Sequence, residues 1–188
     1  MAQVQPVEDI QLIQQSQKGD TQAFGELYER YAQRVFRYLY AHLDNRLDAE
    51  DLTEEVFLRV WKSLGGYQEQ GVPFLAFLFR VARNALIDHY RRSGKNQAET
   101  SIEDMQLSEP GGGPVEAVTA LLEHQQLRAM LEELREDYRT VLVLRFLSEL
   151  SPEETARAMG RSAGAVRVLQ HRALAALRSM MDGGRGEA

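Results

Sequence analysis

The fold of this chain is decided by two adjacent stretches, Asp48–Tyr67 (DAEDLTEEVFLRVWKSLGGY) and Pro73–Arg92 (PFLAFLFRVARNALIDHYRR). In the first stretch, apolar residues recur at steps of three and four, which predicts an amphipathic helix with an acidic N-terminus capped by Asp48. In the second, one stripe of residues is apolar and another carries cations, and residues 73–95 hold five cations against one acid. The acidic helix suits a basic protein surface, and the basic helix suits phosphate.

The two stretches resemble conserved region 2 of bacterial RNA polymerase sigma factors of the extracytoplasmic-function type. The resemblance implies that the acidic helix docks on the clamp of the largest polymerase subunit, and that the following loop and basic helix recognise and open the −10 promoter element. It implies docking by Asp48, Asp51, Leu52, Glu54, Glu55, Phe57 and Trp61. It implies −10 DNA binding by Tyr67, Gln68, Gln70, Arg80, Arg83, Asn84, Arg91 and Arg92.

The composition favours a cytoplasmic protein without a disulfide or a membrane anchor. The 188 residues include no cysteine, no apolar run long enough to span a bilayer and no N-terminal secretory signal. The net charge is −6, whereas an autonomous DNA-binding protein is usually basic because it neutralises phosphates. We therefore expect weak binding to duplex DNA unless a partner supplies further contacts. In a bacterial cell, the resemblance places the protein at the nucleoid when it is part of the polymerase holoenzyme.

The N-terminal part predicts two further helices. Residues 8–18 predict a short helix that ends before Gly19, and a cap at Asp20 or Thr21 begins a long amphipathic helix that runs to about His42. The aromatic residues of this long helix are interpreted as core packing. Trp61 is likewise interpreted as a core anchor more readily than as a residue that stacks on DNA.

The loop between the two deciding stretches is the candidate for −10 specificity. By resemblance, it forms a pocket for a base flipped out of the non-template strand, with Tyr67 to stack on the base and the neighbouring polar residues to bind its edge. The basic helix departs from the family pattern at Phe77, where a tryptophan is common. Phenylalanine keeps the aromatic face and lacks the indole N–H. If the family's tryptophan only packs, nothing changes; if it donates a hydrogen bond, that contact is absent here.

The composition changes after the basic helix. Residues 94–114 lack helical periodicity and contain three consecutive glycines, which predicts a flexible acidic linker between domains at 8–93 and 115–182. Fully extended, such a linker reaches roughly 60–70 Å, which is about two turns of B-DNA. One interpretation is a solvated tether. The resemblance implies another, in which the linker threads the polymerase channel towards the RNA exit.

The C-terminal part predicts a helix-turn-helix. Helices are expected at about 115–135 and 138–148, and Ser151-Pro152-Glu153-Glu154 forms a capping box before a short helix that Gly160 ends. A longer helix follows, capped by Ser162, and residues 161–181 contain four arginines and no acid. This pattern is typical of a recognition helix in the major groove. The candidate DNA contacts are Arg161, Ser162, Ala165, Arg167, Gln170, His171 and Arg172, and Val166 is expected to face the core.

This segment resembles sigma region 4, the reader of the −35 element. It departs from the family pattern at Ala165, Val168, Leu169 and Gln170, so a −35 sequence preference cannot be carried over. Together, the two resemblances predict an all-α protein of two small helical domains joined by a flexible linker. They imply that the chain is a promoter-specificity subunit, of the alternative, signal-responsive kind. The implied partners are core RNA polymerase (the clamp and the flap of the second-largest subunit), promoter DNA and an anti-sigma factor.

Two other functions explain the features of the sequence less well. A stand-alone dimeric helix-turn-helix regulator leaves the acidic helix and the basic stripe of Pro73–Arg92 without a role. An enzyme has one apparent motif, the G-x-S-x-G pattern around Ser162, but that pattern requires a preceding strand, and a helix is expected there. The four histidines are far apart in the sequence, and no cofactor and no metal are expected.

Overall fold

The computed structural model describes residues 7–43, 45–68, 72–94 and 127–183, and this part of the chain contains helices and no strand. The prediction of an all-α protein is therefore confirmed. The helices are α1 (Val7–Gln17), α2 (Thr21–Tyr40), α3 (Arg46–Ser63), α4 (Phe74–Ser93), α5 (127–133), α6 (Glu136–Leu142), α7 (Pro152–Met159) and α8 (Ala163–Gly183). A 3₁₀ turn (Leu64–Gly66) follows α3, and a π-helical turn (Val143–Leu147) follows α6. The predicted linker and most of the helix predicted at 115–135 lie outside the described residues.

The helix starts follow local capping signals, with one correction. The Asp20 carboxylate accepts hydrogen bonds from the backbone N–H groups of Gln22 (2.9 Å) and Ala23 (3.1 Å), as the sequence predicts for a cap of α2. The prediction that Asp48 caps α3 is wrong. Asn45 caps it instead, with an extended backbone and a side chain that accepts from the N–H of Leu47 (2.9 Å). Asp48 lies in the first turn, where its charge still complements the helix dipole.

Helices α1 to α4 form a core that is rich in aromatic side chains. Tyr31 and Tyr38 of α2 are buried, and their rings lie 5.8 Å from Phe74 and 5.6 Å from Phe79 of α4. Such aromatic pairs stabilise a core beyond the apolar area that they bury. The interpretation of these tyrosines as core residues is confirmed. α2 packs against α1, α3 and α4 and is thus the central helix of this half.

Helices α5 to α8 form a second helical group that contains the predicted helix-turn-helix. The hydroxyl of Ser151 accepts from the N–H of Glu154 (3.1 Å), and the Glu154 carboxylate accepts from the N–H of Ser151 (2.7 Å), so the capping box is present. α7 ends at Gly160, whose φ of 66° lies in the left-handed region that favours glycine. Val166 and Ala173 of α8 are buried, so the prediction that Val166 faces the core is confirmed.

The two helical groups contact each other directly. The Arg34 guanidinium donates two hydrogen bonds to the carbonyl of Ser148, at 2.9 and 2.6 Å. Arg128 donates to the carbonyl of Leu43 (2.6 Å) and lies over the ring of Tyr40, 4.5 Å from its centroid. α7 also packs against α4. The described helices therefore form one body in which α4 has neighbours on both sides.

A buried histidine lies at this contact. The carbonyl of Tyr38 can only accept, so Nδ1 of His42 donates to it (2.7 Å) and Nε2 is left to accept from the hydroxyl of Thr140 on α6 (3.2 Å). Burial lowers the pKa of His42, although Glu136 and the Tyr38 carbonyl act in the opposite direction. His42 is therefore neutral near pH 7 and joins the two groups as a neutral side chain.

Candidate nucleic-acid and polymerase interface

The acidic surface of α3 is the first candidate interface. Asp48, Asp51 and Glu54 are exposed on α3, and none of them forms an ion pair among the described residues. Carboxylates in this state keep their charge available for a basic partner. These three residues therefore make up the accessible part of the predicted docking set.

Glu55 has a different environment from the other acids of α3. It accepts hydrogen bonds from Arg59 of the same helix (2.6 Å) and Arg92 of α4 (3.1 Å), and Arg59 also donates to Asp88 of α4 (2.8 Å). Partial burial acts to raise the pKa of Glu55, but the two arginines outweigh it and the pKa lies below its usual range. The hydrogen bond from Arg59 likewise lowers the pKa of Asp88. Glu55 therefore fixes α3 against α4.

Leu52 and Phe57 are removed from the proposed docking surface by their burial. Their exposures are only 2% and 3%, and the ring of Phe57 lies 4.8 Å from that of Tyr28 on α2. Trp61 is half-buried, and its ring lies 4.8 Å from that of Phe24. All three residues support the position of α3, and Trp61 alone retains some exposure for a partner.

Two leucines that sequence reasoning missed lie on the accessible face of α3. Leu47 is 66% exposed and Leu58 is 59% exposed. Positions 47, 51, 54 and 58 share one helical face, because residues separated by three or four positions are neighbours on a helix. The face therefore consists of two acids between two leucines. The signal was available in the sequence, since both leucines break the apolar periodicity that defines the core face.

The loop after α3 does not present Tyr67 to a base. Tyr67 is 8% exposed, its hydroxyl donates to the carbonyl of Val72 (2.7 Å), and its ring lies 5.0 Å from Phe77. The expectation that Tyr67 stacks on a flipped base does not fit this arrangement, because a stacking residue must leave one ring face accessible and this ring is buried. Gln68 is exposed, and Gln70 lies outside the described residues.

Gln17 at the end of α1 holds the start of this loop. Its side-chain amide donates to the carbonyls of Leu64 (3.0 Å) and Tyr67 (2.7 Å). The Leu64 carbonyl also accepts from the N–H of Tyr67 (3.0 Å), so Gln17 adds a side-chain bond at each end of the 3₁₀ turn and ties it to α1. Sequence reasoning missed this residue because its partners lie about fifty positions away.

Helix α4 exposes a narrow basic stripe. Arg80, Asn84, Arg91 and Arg92 are exposed and Arg83 is half-buried. The guanidinium of Arg80 lies over the ring of Phe77, 5.9 Å from its centroid. Phe77 itself is buried against Tyr67. The aromatic residue that replaces the common tryptophan is therefore a packing residue and a support for Arg80.

Helix α8 exposes much more of its surface. Arg161, Ser162, Ala165, Arg167, His171 and Arg172 are all exposed. Ser162 accepts a hydrogen bond from the N–H of Ala165 (3.2 Å), which confirms its role as a cap. The G-x-S-x-G pattern around Ser162, the one apparent motif of an enzyme, is therefore part of a helix cap. The recognition helix of a helix-turn-helix presents its N-terminal residues to base edges, and the exposed residues named above lie in that part of α8 or directly before it.

Ion pairs hold two cations of this region at the sides of α8. Arg161 bonds Asp137 of α6 (2.7 Å), and Arg167 bonds Glu153 of α7 (3.2 Å). Gln170 is half-buried and accepts from Nε of Arg145 (3.0 Å), which also donates to the carbonyl of Leu150. Gln170 therefore connects α8 to the π-helical turn, and it is less available to DNA than the sequence predicted.

The described residues also bear on other classes of site. No group of histidines and acids among them could hold a metal ion. None of the described helices has the length and apolar character needed to cross a membrane.

Two family models match this chain, one in each of the two helical groups. The model described as Sigma-70 region 2 matches residues 27–96, which cover α2 to α4. The model described as Sigma-70, region 4 matches residues 124–177, which include the helix-turn-helix.

Individual relatives agree with the family models. The chain is 36% identical over 172 residues to the ECF RNA polymerase sigma factor BldN of Streptomyces coelicolor, covering 92% of this chain and 65% of BldN. It is 33% identical over 179 residues to the ECF RNA polymerase sigma factor ShbA of Streptomyces griseus, covering 91% of this chain and 94% of ShbA. The solved structure of CnrH in complex with the cytosolic domain of CnrY is similar over 94% of this chain and 98% of that one, with a TM-score of 0.70 and 26% identity. The chain belongs to the extracytoplasmic-function group of RNA polymerase sigma factors.

Proposed function

We propose that this chain binds core RNA polymerase and directs transcription initiation at promoters with −35 and −10 elements, as an alternative, signal-responsive sigma factor. The observation that carries the proposal is the presence in one chain of an acidic face on α3 beside a basic stripe on α4, together with a helix-turn-helix whose second helix holds three arginines and no acid before Asp182. A DNA-binding regulator needs the last of these features and has no use for the first two.

The proposed division of labour follows the three surfaces. Residues 8–93 hold the polymerase through the exposed acids of α3, and read and melt the −10 element through the stripe of α4. Residues 115–182 read the −35 element through α8, and residues 94–114 link the two domains. Because Tyr67 is buried, the proposal assigns no residue to stack on a flipped base.

The proposed partners are the polymerase clamp and flap, promoter DNA and an anti-sigma factor. The likeness to CnrH, a protein solved with the cytosolic domain of CnrY, supports the last of these. The chain performs no catalysis of its own, since the polymerase makes the RNA. It acts where the polymerase acts, in the bacterial cytoplasm and at the nucleoid.

Transcription in a purified system tests this function. Core polymerase lacking any sigma factor is given this protein and a library of promoter fragments, and discrete transcripts are expected only when both are present. No transcripts, together with salt-sensitive binding of a palindromic site by the protein alone, would instead favour the dimeric regulator.

A charge reversal tests the docking face separately. The double variant Asp51→Lys/Glu54→Lys should weaken association with core polymerase by about tenfold or more at low salt, because it places cations against a basic surface. The matched control is Glu26→Lys/Glu29→Lys, which reverses two exposed acids at the same spacing on α2. Equal affinities of the two variants for core polymerase would move the docking face away from α3.

A further inference from the structure

The centre of the exposed face of α8 is apolar. Ala165 and Val168 are both exposed, and Val168 leaves 53% of its surface in solvent. They are three residues apart and therefore neighbours on one side of the helix. A valine in a helix has one strongly preferred χ1 rotamer, so its two methyl groups are held in a fixed orientation.

Three of the polar side chains near this pair are held by residues outside α8. Arg161 and Arg167 are held towards α6 and α7 by Asp137 and Glu153, and Gln170 is held by Arg145. Arg172, seven residues after Ala165, is exposed and has no ion pair among the described residues. A surface approaching α8 from solvent therefore meets two apolar side chains, with His171 and Arg172 exposed beside Val168 on the same face.

We propose that Val168, together with Ala165, reads the C5-methyl groups of thymines in the −35 element. The inference rests on the proposed function of α8 as the −35 reader. In the major groove, the thymine methyl is the one apolar group that a base edge presents, and aliphatic side chains contact it. Arg172, which is exposed without an ion pair among the described residues, suits a phosphate beside the groove. Single exposed apolar residues are common on protein surfaces. This one differs because it lies at the centre of the DNA-directed face.

Replacing thymine by uracil tests the proposal, because the exchange removes the methyl group and keeps the base pairing. Promoters selected by the wild-type holoenzyme are prepared with uracil at each −35 thymine in turn, and open-complex formation is measured. The wild type should lose about three- to fivefold at one or two adjacent positions, the effect of exposing one methyl group. Val168→Ala should be less sensitive than the wild type at one of those positions at least, because its shorter side chain contacts less of the methyl group, and Val168→Ile should remain sensitive.

Two outcomes would overturn the proposal. One is a wild type that is insensitive at every thymine, and the other is a Val168→Ala variant that is as sensitive as the wild type. Met181→Ser, which alters an exposed apolar residue near the other end of α8, is the matched control and should keep the wild-type sensitivity. Failure of the proposed function would look different, since the wild type would then produce no promoter-dependent transcripts from any fragment.

Discussion

Helices α4 and α8 are both basic and both proposed to face DNA, yet they are built in opposite ways. Every residue of α4 from Phe74 to Phe79 is buried, as are three more further along the helix. In α8 only Val166 and Ala173 are buried. α4 is thus a core helix that keeps a narrow stripe for DNA, whereas α8 is a displayed helix anchored at a few points. Substitutions in α4 should mix stability with function, and substitutions in the exposed face of α8 should separate them.

The largest difference is expected between Phe79→Ala and Val168→Ala. Phe79 is fully buried against Tyr38, so its truncation should lower the free energy of unfolding by about 3–5 kcal/mol. Val168→Ala removes methyl groups that already face water, and should change that free energy by less than about 0.5 kcal/mol. Urea denaturation of both variants measures the contrast. Similar losses in the two would contradict the view of α8 as a displayed helix.

The second prediction concerns His42, the buried histidine at the contact between the two helical groups. The folded-state pKa of His42 lies below its usual 6.5, so the unfolded chain binds a proton more readily. The stabilisation is therefore complete above about pH 6.5 and is lost as the pH falls from there towards the folded-state pKa. The loss approaches about 1.4 kcal/mol for each pH unit within that window.

Denaturation at pH 7.5 and pH 5.5 measures this effect in the wild type, His42→Gln and the control His171→Gln. The exposed His171 is not part of the core, so its variant should keep the wild-type pH dependence, whereas His42→Gln should flatten it. An unchanged slope in His42→Gln would assign the pH dependence to other groups.

The third prediction compares two glycines on either side of the turn before α8. Gly160 has a positive φ, and a Cβ built there meets nothing within 4 Å, so Gly160→Ala is disfavoured by backbone conformation alone. We expect a loss of about 1–2 kcal/mol. Gly164 lies inside α8 with equal space around it, so Gly164→Ala should stabilise the helix by about 0.5–1 kcal/mol. Thermal unfolding should therefore shift in opposite directions, and shifts of the same sign would refute the assigned turn.

Only a small change in stability is expected from Arg167→Ala. Its ion pair with Glu153 is exposed, with side chains 66% and 48% accessible, and such pairs contribute about 0–1 kcal/mol. Initiation that depends on the −35 element should nevertheless fall by about tenfold, while core binding stays unchanged. Lost core binding would contradict the assignment of Arg167 to DNA.

Local signals in the sequence were sufficient for much of the fold. The capping box at Ser151 and the glycine at 160 specify the helix-turn-helix within a dozen residues, and both are present. The apolar periodicity of α4 likewise placed Phe74 and Leu78 in the core. The cap of α3 was misjudged because Asn45 and Asp48 are both good caps, and only the backbone at Asn45 decides between them.

The candidate site was less predictable because its outcome depends on distant partners. Glu55 reads as one more surface acid, yet Arg92, thirty-seven positions away, draws it into the contact between helices. Tyr67 reads as an exposed loop aromatic, yet Phe77 and the Val72 carbonyl enclose it. Val168 appears only as a departure from a family pattern until its exposure is known.

The contacts of Arg34, Arg128 and His42 hold the two helical groups together, and their free energy therefore bears on the affinity for promoter DNA. If the proposed −35 and −10 elements, about two helical turns apart, can be occupied together only after the two groups separate, these contacts oppose promoter binding. For every 1.4 kcal/mol by which the contacts favour association of the groups, the separated population falls about tenfold, and so does the apparent affinity for such a DNA. A partner that binds only the separated arrangement restores that population. Three side chains far from any base thus contribute to how strongly the chain depends on the polymerase.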